Sequence, residues 1–253
     1  MFGSVRSRSD ADRLAGEFGE RFTPLFFDMT DQPAVRGGAA VVETALGGKP
    51  LFGLVNNAGI AVPGPLLHLD IESFRRQLDV NVTGQLIVIP AFAQLLGPRN
   101  TRTPGRIVMI SSVDGRNASP FIGAYNAWKF ALEGMLESLR RELMLWEVDV
   151  IVVAPSAIGA PIWDKVERLD MALYANTRYA ASLKAVRDFM IVTGRKGLKP
   201  EQVGRVMWQA LTSAKPKTRY VVTPDPSQNL LVNHLPKRMV DRVIARRLSL
   251  LSK

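Results

Sequence analysis

The sequence predicts an α/β fold in which helices cover both faces of one parallel sheet. Short apolar runs alternate with longer helical patterns, which is typical of parallel strands connected by crossover helices. Several of the short runs are almost wholly apolar, as strands covered on both faces should be. With 253 residues, 47% of them hydrophobic, the chain has a size that one domain accommodates. We therefore expect a doubly wound parallel sheet in a single domain spanning residues 1–253.

The predicted elements follow one another regularly along the chain. Strands are predicted at Phe2–Val5, Pro24–Phe27, Phe52–Val55, Arg106–Ile110, Val148–Val153 and Arg219–Val222. Helices are predicted over Asp10–Phe18 (capped by Ser9 or Asp10), Gln32–Leu46, Ile71–Leu96 and Ala124–Trp146, and from about Pro200 onward. A helical excursion is expected at about 158–196, and a basic amphipathic segment at 236–251.

Composition excludes several kinds of chemistry. The chain has no cysteine and two histidines, His68 and His234, so disulfides, thiolate catalysis and a metal site are not expected. A net charge of +10 suits a nucleic acid, an anionic lipid or a phosphorylated cofactor, and charge alone does not choose among them. No apolar run approaches the roughly 20 residues of a membrane span, and the first residues lack an apolar leader, so we expect a cytoplasmic protein.

Polar residues follow the ends of predicted strands. Asn56 comes directly after an apolar strand, and Ser112 follows another. Asn81 lies within a predicted helix. Ligands of open parallel sheets bind outside the carboxyl ends of the strands, so we expect Asn56 and Ser112 to face that crevice.

Tyr125 and Lys129 are four residues apart at the start of a predicted helix, and therefore lie on one helical face. An ammonium near a phenol lowers the phenol's pKa from its usual value of about 10. Ser112 would then hold a substrate oxygen where Tyr125 transfers a proton. Each pattern alone is commonly a solvated pair, a turn or a helix cap. Their joint occurrence in this order indicates an active site.

The segments NNAG at 56–59, NVTG at 81–84, ISSVDG at 110–115 and YNAWK at 125–129 resemble the classical short-chain dehydrogenase/reductase family, in its retinol- and steroid-dehydrogenase-like branch. The resemblance implies a Rossmann-type fold and an NAD(P)(H)-dependent oxidoreductase that interconverts a hydroxyl and a carbonyl on a small or lipophilic substrate. It implies that Tyr125 is the acid/base, that Ser112 orients the substrate oxygen, and that Asn81 supports a proton-relay water. Lys129 would lower the tyrosine pKa and hold the nicotinamide ribose.

The same resemblance implies a set of cofactor contacts. Asp28 matches the residue that contacts adenine, and Arg6 stands where the family reads the adenosine ribose. A basic residue there favours NADP(H) over NAD(H), with Arg8 as a second candidate. The other implied contacts are Asn56, Ala58, Gly59, Tyr125, Lys129, Pro155 and the backbone of Ile158. Ala160 stands where the family commonly has a hydroxyl, so we expect weaker cofactor positioning.

The sequence departs from the family at its start, where the resemblance implies a first strand and a glycine-rich turn. Neither precedes the match, which begins at the second strand of the family. The absent strand would lie between Phe2–Val5 and Phe52–Val55, so both of these strands should keep an unpaired edge. Two explanations stay open: a start assigned too far downstream or a shortened chain, or a degenerate member that acts as a ligand- or partner-binding module.

The resemblance also implies a homodimer or homotetramer formed through the helices Ile71–Leu96 and Ala124–Trp146. The segment Ile162–Met190 would be a substrate lid. Nucleic-acid binding has no motif to support it and is not expected. The basic segment 236–251 would cover the substrate pocket or a subunit contact, with peripheral membrane contact as the alternative.

Overall fold

The computed structural model describes residues 1–97, 105–248 and 250, apart from the side chain of Lys165. Its strands are all parallel, which confirms the predicted α/β class. They are β1 (Phe2–Val5), β2 (Thr23–Phe26), β3 (Gly53–Asn56), β4 (Arg106–Ile110), β5 (Asp149–Pro155) and β6 (Arg219–Val222). The predicted bounds of β2 and β3 are displaced by one residue, and β5 begins one residue late and continues to Pro155.

The strands form two separate sheets. β1 pairs with β2, and β3, β4, β5 and β6 pair in that order. Within the described residues, β1 and β3 each have one hydrogen-bonded neighbour, so the predicted unpaired edges are confirmed. Both sheets contact one apolar cluster, to which Leu25 and Phe27 of the β2 region, Val88, and Leu54 of β3 contribute. Side-chain packing rather than backbone pairing therefore joins the two sheets.

The described helices agree with most of the predicted ones. They are α1 (Arg8–Phe18), α2 (Gln32–Leu46), α3 (Ile71–Leu78), α4 (Gly84–Ala93), α5 (Gly123–Glu142), α6 (Ile162–Glu167), α7 (Ala180–Arg195), α8 (Pro200–Thr212), α9 (Pro226–His234) and α10 (Lys237–Arg247). Helices α4 and α5 pack on one side of the four-stranded sheet and α8 packs on the other. This arrangement confirms the doubly wound architecture.

Three helix predictions were wrong in detail. The predicted helix Ile71–Leu96 is divided by a π turn at Asp79–Thr83. The predicted helix Ala124–Trp146 ends its α-helical part at Glu142 and continues as a 3₁₀ turn. Helix α1 is capped by Ser7, whose Oγ accepts a hydrogen bond from the Asp10 amide, and not by Ser9 or Asp10.

The predicted amphipathic segment 236–251 contains helix α10, and the additional helix α9 precedes it; residues 249 and 251 lie outside the described residues. Val240 is buried, and the Arg247 guanidinium lies 4.9 Å from the ring centre of Phe189 in α7. Helix α10 therefore packs on α7. In the described part of the chain, every helix is too short or too polar to cross a membrane.

Two adjacent glycines of α2 test the packing between this helix and β2. A Cβ at Gly38 would lie 2.9 Å from the ring of Phe27, whereas a Cβ at Gly37 would meet nothing within 4 Å. We predict that Gly37→Ala raises the free energy of unfolding by about 0.4–1 kcal/mol, because alanine favours the helix. Gly38→Ala should lower it by about 1–3 kcal/mol through overpacking. Urea unfolding of both variants measures the difference, and equal stabilisation by the two would contradict the packing described.

Candidate active site

The site lies at the carboxyl edge of the four-stranded sheet. Asn56 is the last residue of β3 and is 8% exposed. Ser111 and Ser112 follow β4 and are both buried. In the described residues, the Asn56 side-chain amide nitrogen and the Ser111 hydroxyl have no hydrogen-bond partner. Buried polar atoms of this kind are where a ligand can bind without displacing existing bonds.

Lys129 of α5 is buried and joins that helix to the end of β4. Its Nζ donates hydrogen bonds to the carbonyl oxygens of Ile110 and Ser111, at 2.7 and 2.9 Å. It also lies 3.9 Å from the ring centre of Trp128. An ammonium has three donors, so these carbonyls take two of them. Burial lowers the pKa of Lys129 to about 7, while Glu133 and Asp114 oppose this shift.

Tyr125 lies one turn before Lys129, and its ring centre is 5.7 Å from Nζ. The expectation that its pKa is lowered is wrong for this structure. Burial raises the pKa of Tyr125 to about 12, a hydrogen bond with Ser112 opposes this, and the charge of Asp114 adds to it. The phenol is consequently protonated at neutral pH, as a proton donor requires.

Ser112 begins the 3₁₀ turn Val113–Gly115. Its Oγ accepts a hydrogen bond from the Asp114 amide at 3.1 Å and lies 3.4 Å from Asp114 Oδ2. Its backbone carbonyl accepts a hydrogen bond from Arg219 of β6 at 3.2 Å. Arg219 also pairs with Glu133 of α5, and both side chains are largely buried. The Ser112 main chain is thereby connected to the helix that carries Tyr125.

Three buried amide side chains hold the loop that follows β3. Gln77, Asn81 and Gln85 are four residues apart and line one side of the α3–α4 region. Asn81 pairs with both backbone groups of Ile60, at 2.8 and 2.7 Å. Gln77 Oε1 accepts a hydrogen bond from the Val62 amide at 2.6 Å, and Gln85 Nε2 donates to the Ala58 carbonyl at 3.4 Å. The Asn81 side chain therefore makes its hydrogen bonds to the loop rather than to a group in the crevice at the strand ends.

Gly59 lies where this loop passes closest to Asn81. A Cβ at Gly59 would be 3.0 Å from Asn81 Oδ1 and 3.7 Å from the Trp128 ring. Contacts at 3.0 Å are tighter than side chains ordinarily make. A side chain at position 59 would therefore have to displace the Asn81 amide by a few tenths of an ångström.

The predicted adenosine contacts lie together at the ends of β1 and β2. Arg6 and Asp28 form an ion pair at 3.6 Å, with side chains that are 70% and 40% exposed. Asp28 Oδ1 accepts hydrogen bonds from the amide and hydroxyl of Thr30, at 3.0 and 2.7 Å. These bonds, with a smaller effect of Arg6, lower the pKa of Asp28. Arg8 instead pairs with Asp12 at 3.5 Å.

Pro155 ends β5, and Ile158 follows it in a stretch bridged to Leu198. The Ile158 carbonyl accepts a hydrogen bond from the Trp163 indole at 2.6 Å. This bond occupies one of the two lone pairs of the Ile158 carbonyl oxygen. The Trp163 ring also packs against Gly194 of α7, where a Cβ would be 2.2 Å away.

An apolar cleft lies between α6–α7 and the segment that leads into α5. Phe121 and Ile122 line one side, and Val166, Val186 and Met190 are among the residues lining the other. Phe121 has a φ of 63°, and its carbonyl accepts a hydrogen bond from the Gly64 amide at 2.8 Å. The Tyr179 ring is 5.8 Å from that of Phe121 and 5.7 Å from that of His68. Residues 162–195 are therefore attached close to the start of the helix that carries Tyr125.

Sequence reasoning identified Asn81, Ser112, Tyr125 and Lys129 but missed the groups that fix them. The four-residue spacing of Gln77 and Gln85 from Asn81 was a readable signal. Glu133, four residues after Lys129, was a similar signal. Arg219 had no such signal, because β6 reaches Ser112 only through the fold.

Comparison with known proteins identifies the family to which the chain belongs. The family of short chain dehydrogenases matches residues 3–171. The NADPH-dependent 3-dehydrocapnine reductase of Ornithobacterium rhinotracheale is 34% identical over 100% of this chain and 90% of its own length. Retinol dehydrogenase 5 of Mus musculus is 33% identical over 93% of this chain and 77% of its own. A short chain dehydrogenase/reductase from Burkholderia phymatum in complex with NAD superposes with a TM-score of 0.75 at 21% identity, covering 96% of this chain and 85% of that one.

The chain belongs to the short chain dehydrogenase family. It is an oxidoreductase of CH–OH groups that uses a nicotinamide nucleotide.

The buried ammonium gives the folded chain a characteristic pH dependence. Between pH 7 and about 10.5, the unfolded chain keeps Lys129 protonated while the folded chain releases that proton. The unfolded state then binds more protons, so Lys129 makes the free energy of unfolding rise with pH over this window. We predict that Lys129→Met removes this rise in urea unfolding series at several pH values. Lys184→Met, at an exposed lysine of α7, should keep the wild-type dependence. An unchanged slope in Lys129→Met would show that the ammonium is not buried.

Proposed function

We propose that the chain is an NADP(H)-dependent oxidoreductase that interconverts a hydroxyl and a carbonyl group on a lipophilic, retinoid- or steroid-like substrate, with Tyr125 as the acid/base. The observation that carries this proposal is the partly buried phenol of Tyr125 beside Ser112 at the carboxyl edge of the sheet, one helical turn before the buried Lys129. A protonated phenol at this edge is suited to donate a proton to a carbonyl oxygen during reduction.

Each of the four residues has a separate role in this proposal. Tyr125 gives its proton to the substrate oxygen in reduction and takes it back in oxidation, and Ser112 holds that oxygen in place. Lys129 fixes α5 against β4, and its remaining donor is available to a ribose hydroxyl. Asn81 keeps the loop after β3 in position through its two bonds to Ile60.

The nicotinamide nucleotide supplies or accepts the hydride when it is bound at this edge. The residues proposed to hold it are Arg6, Asp28, Asn56, Ala58, Gly59, Tyr125, Lys129, Pro155 and Ile158. The unpaired amide nitrogen of Asn56 and the close approach at Gly59 support a polar ligand at this place.

Two observations favour NADP(H) over NAD(H). Arg6 presents an exposed guanidinium at the end of β1, next to Asp28, and a guanidinium matches the geometry of a phosphate. The relative from Ornithobacterium rhinotracheale is described as NADPH-dependent.

Residues 162–190 would form the lid of the substrate site, because apolar side chains of α6 and α7 face Phe121 and Ile122 just before the helix that carries Tyr125. The relatives act on 3-dehydrocapnine and retinol by name.

We also propose that the chain forms a homodimer or homotetramer through α4 and α5, where Leu86 and Phe130 are exposed. Light scattering measures the number of copies. Met239 and Val243 of α10 are also exposed, and peripheral membrane contact there is the alternative that vesicle flotation tests.

The cofactor preference is tested by substituting the two candidate arginines. We predict that Arg6→Ser weakens NADPH binding by about tenfold or more and leaves NADH binding nearly unchanged, because only NADPH carries the 2′-phosphate. Arg8→Ser is the matched control and should bind both as the wild type does. Titrations followed by nicotinamide fluorescence give both constants. Equal losses for the two nucleotides in Arg6→Ser would contradict the assignment of Arg6.

The role of Tyr125 is tested by removing its hydroxyl. We predict that Tyr125→Phe lowers kcat for reduction by about 10²–10⁴-fold, the usual contribution of a general acid, while NADPH binding persists. Tyr220→Phe is the control, since the Tyr220 hydroxyl accepts a hydrogen bond from the Lys217 amide away from the site. Turnover is measured with a panel of lipophilic ketones and alcohols that includes 3-dehydrocapnine and retinol.

Retained activity in Tyr125→Phe would overturn the acid/base assignment. A wild-type chain that binds nucleotide but turns over no member of the panel would instead favour a non-catalytic binding module.

A further inference from the structure

The end of β4 is held by two largely buried cations that come from different elements. Lys129 of α5 donates hydrogen bonds to two successive carbonyl oxygens, those of Ile110 and Ser111. Arg219 of β6 donates to the next carbonyl oxygen, that of Ser112, at 3.2 Å. Hydrogen bonds from charged donors are stronger than those between neutral groups. Three consecutive carbonyl groups at the site are therefore fixed by both a helix and a strand.

Glu133 connects the two cations. It lies one turn after Lys129 in α5, and its Oε1 accepts a hydrogen bond from Arg219. The side chains of Glu133 and Arg219 are 13% and 14% exposed, so water reaches this pair poorly. The second carboxylate oxygen of Glu133 lies 3.6 Å from Arg116, whose side chain is 60% exposed. Arg219 thus uses its planar group of donors to bond α5 and the Ser112 main chain at once.

The 3₁₀ turn after Ser112 is packed closely against this pair. The Gly115 amide donates to the Ser112 carbonyl oxygen at 3.1 Å, so this oxygen accepts hydrogen bonds from both the turn and Arg219. A Cβ at Gly115 would lie 2.7 Å from Ser111 Oγ and 3.0 Å from Glu133 Oε1. The position of the turn therefore depends on where the Glu133 carboxylate lies.

The ion pair between Arg219 and Glu133 is expected to add little to the stability of the fold. Moving two charges out of water costs about as much as their attraction returns, and replacing both partners by apolar side chains is often neutral. Removing one partner is different, because it leaves the other charge buried and unpaired. What the pair supplies is the distance between the end of β4 and α5. A displacement of about 1 Å between reacting groups can slow a reaction by about a hundredfold.

We propose that Arg219 and Glu133 are positioning residues, which fix the strand end that carries Ser112 against the helix that carries Tyr125. The proposal rests on the proposed function, in which Ser112 holds the substrate oxygen and Tyr125 transfers the proton. Arg219 acts through the Ser112 main chain and Glu133 acts through α5. Loss of the pair should therefore reduce the rate of the reaction more than it reduces stability or nucleotide binding.

The first test needs no substrate. The double variant Arg219→Met/Glu133→Met removes both charges together and leaves neither partner unpaired. We expect its melting temperature to stay within a few degrees of that of the wild type. Hydrogen exchange in peptides covering residues 112–118 should become faster by about tenfold or more, because the turn loses the charged bond that holds its first carbonyl. Exchange in α2 should not change.

A second ion pair of the same helix provides the matched control. Glu137 and Arg141 pair on the exposed side of α5, with side chains that are 56% and 62% exposed. Glu137→Gln/Arg141→Gln should keep the wild-type exchange over residues 112–118. If Arg219→Met/Glu133→Met does not fold, Arg219→Lys replaces it in both tests. A lysine keeps a charge beside Glu133 but lacks the planar fork that bonds two groups at once.

The second test measures turnover with the panel of lipophilic ketones and alcohols. We expect kcat of Arg219→Met/Glu133→Met to fall by about a hundredfold, with little change in the Kd of NADPH. Glu133 also opposes the effect of burial on the pKa of Lys129, so kcat is compared at the plateau of each pH profile. A change of pKa moves a profile along the pH axis, whereas a loss of position lowers its plateau.

Exchange over residues 112–118 equal to that of the Glu137→Gln/Arg141→Gln control would overturn the proposal. Faster exchange with a wild-type plateau of kcat would do the same, because the turn would then be loosened without effect on the reaction. A wild type without turnover counts against the proposed function alone, since the exchange measurement still decides whether the pair holds the Ser112 turn.

Discussion

The bond between the Lys129 ammonium and the end of β4 is the interaction on which the active site depends. Moving a charged amine out of water costs several kcal/mol unless other groups replace the water. Here the carbonyl oxygens of Ile110 and Ser111 and the face of Trp128 replace it. Because these groups satisfy the buried charge of Lys129, they fix the rotation of α5 about its own axis and its distance from the sheet. Tyr125 and Ser112, which belong to different elements, are thereby brought together at the carboxyl edge of the sheet.

Buried polar side chains also hold the loop that follows β3 in its conformation. Gln77, Asn81 and Gln85 have little or no exposure, and each contacts backbone atoms between Ala58 and Val62. The loop supplies no regular structure of its own, so these bonds replace a strand or helix pattern. The π turn at Asp79–Thr83 widens the helix at Asn81, and such turns are frequent at functional sites. The helix is distorted where it must reach the loop.

Local patterns explain what the sequence could predict. The apolar run before Ser111 and the four-residue spacing of Tyr125 and Lys129 are short-range signals, and both elements form where expected. The π turn could not be predicted, because hydrogen bonds from a distant loop produce it. The direction of the pKa shift at Tyr125 could not be predicted from the sequence either. It depends mainly on how far the folded chain removes the phenol from water, and the spacing of two residues on a helix does not give that.

Phe121 has a backbone conformation that non-glycine residues rarely adopt, at a cost on the order of 1–3 kcal/mol. The Gly64 amide and the Tyr179 ring hold it there. The stability of the turn that begins α5 thus derives partly from residues far away in the chain. Thermodynamic linkage makes this relation reciprocal. Whatever orders the segment around Tyr179 also orders the first turn of α5, and the accessible positions of the Tyr125 hydroxyl narrow accordingly.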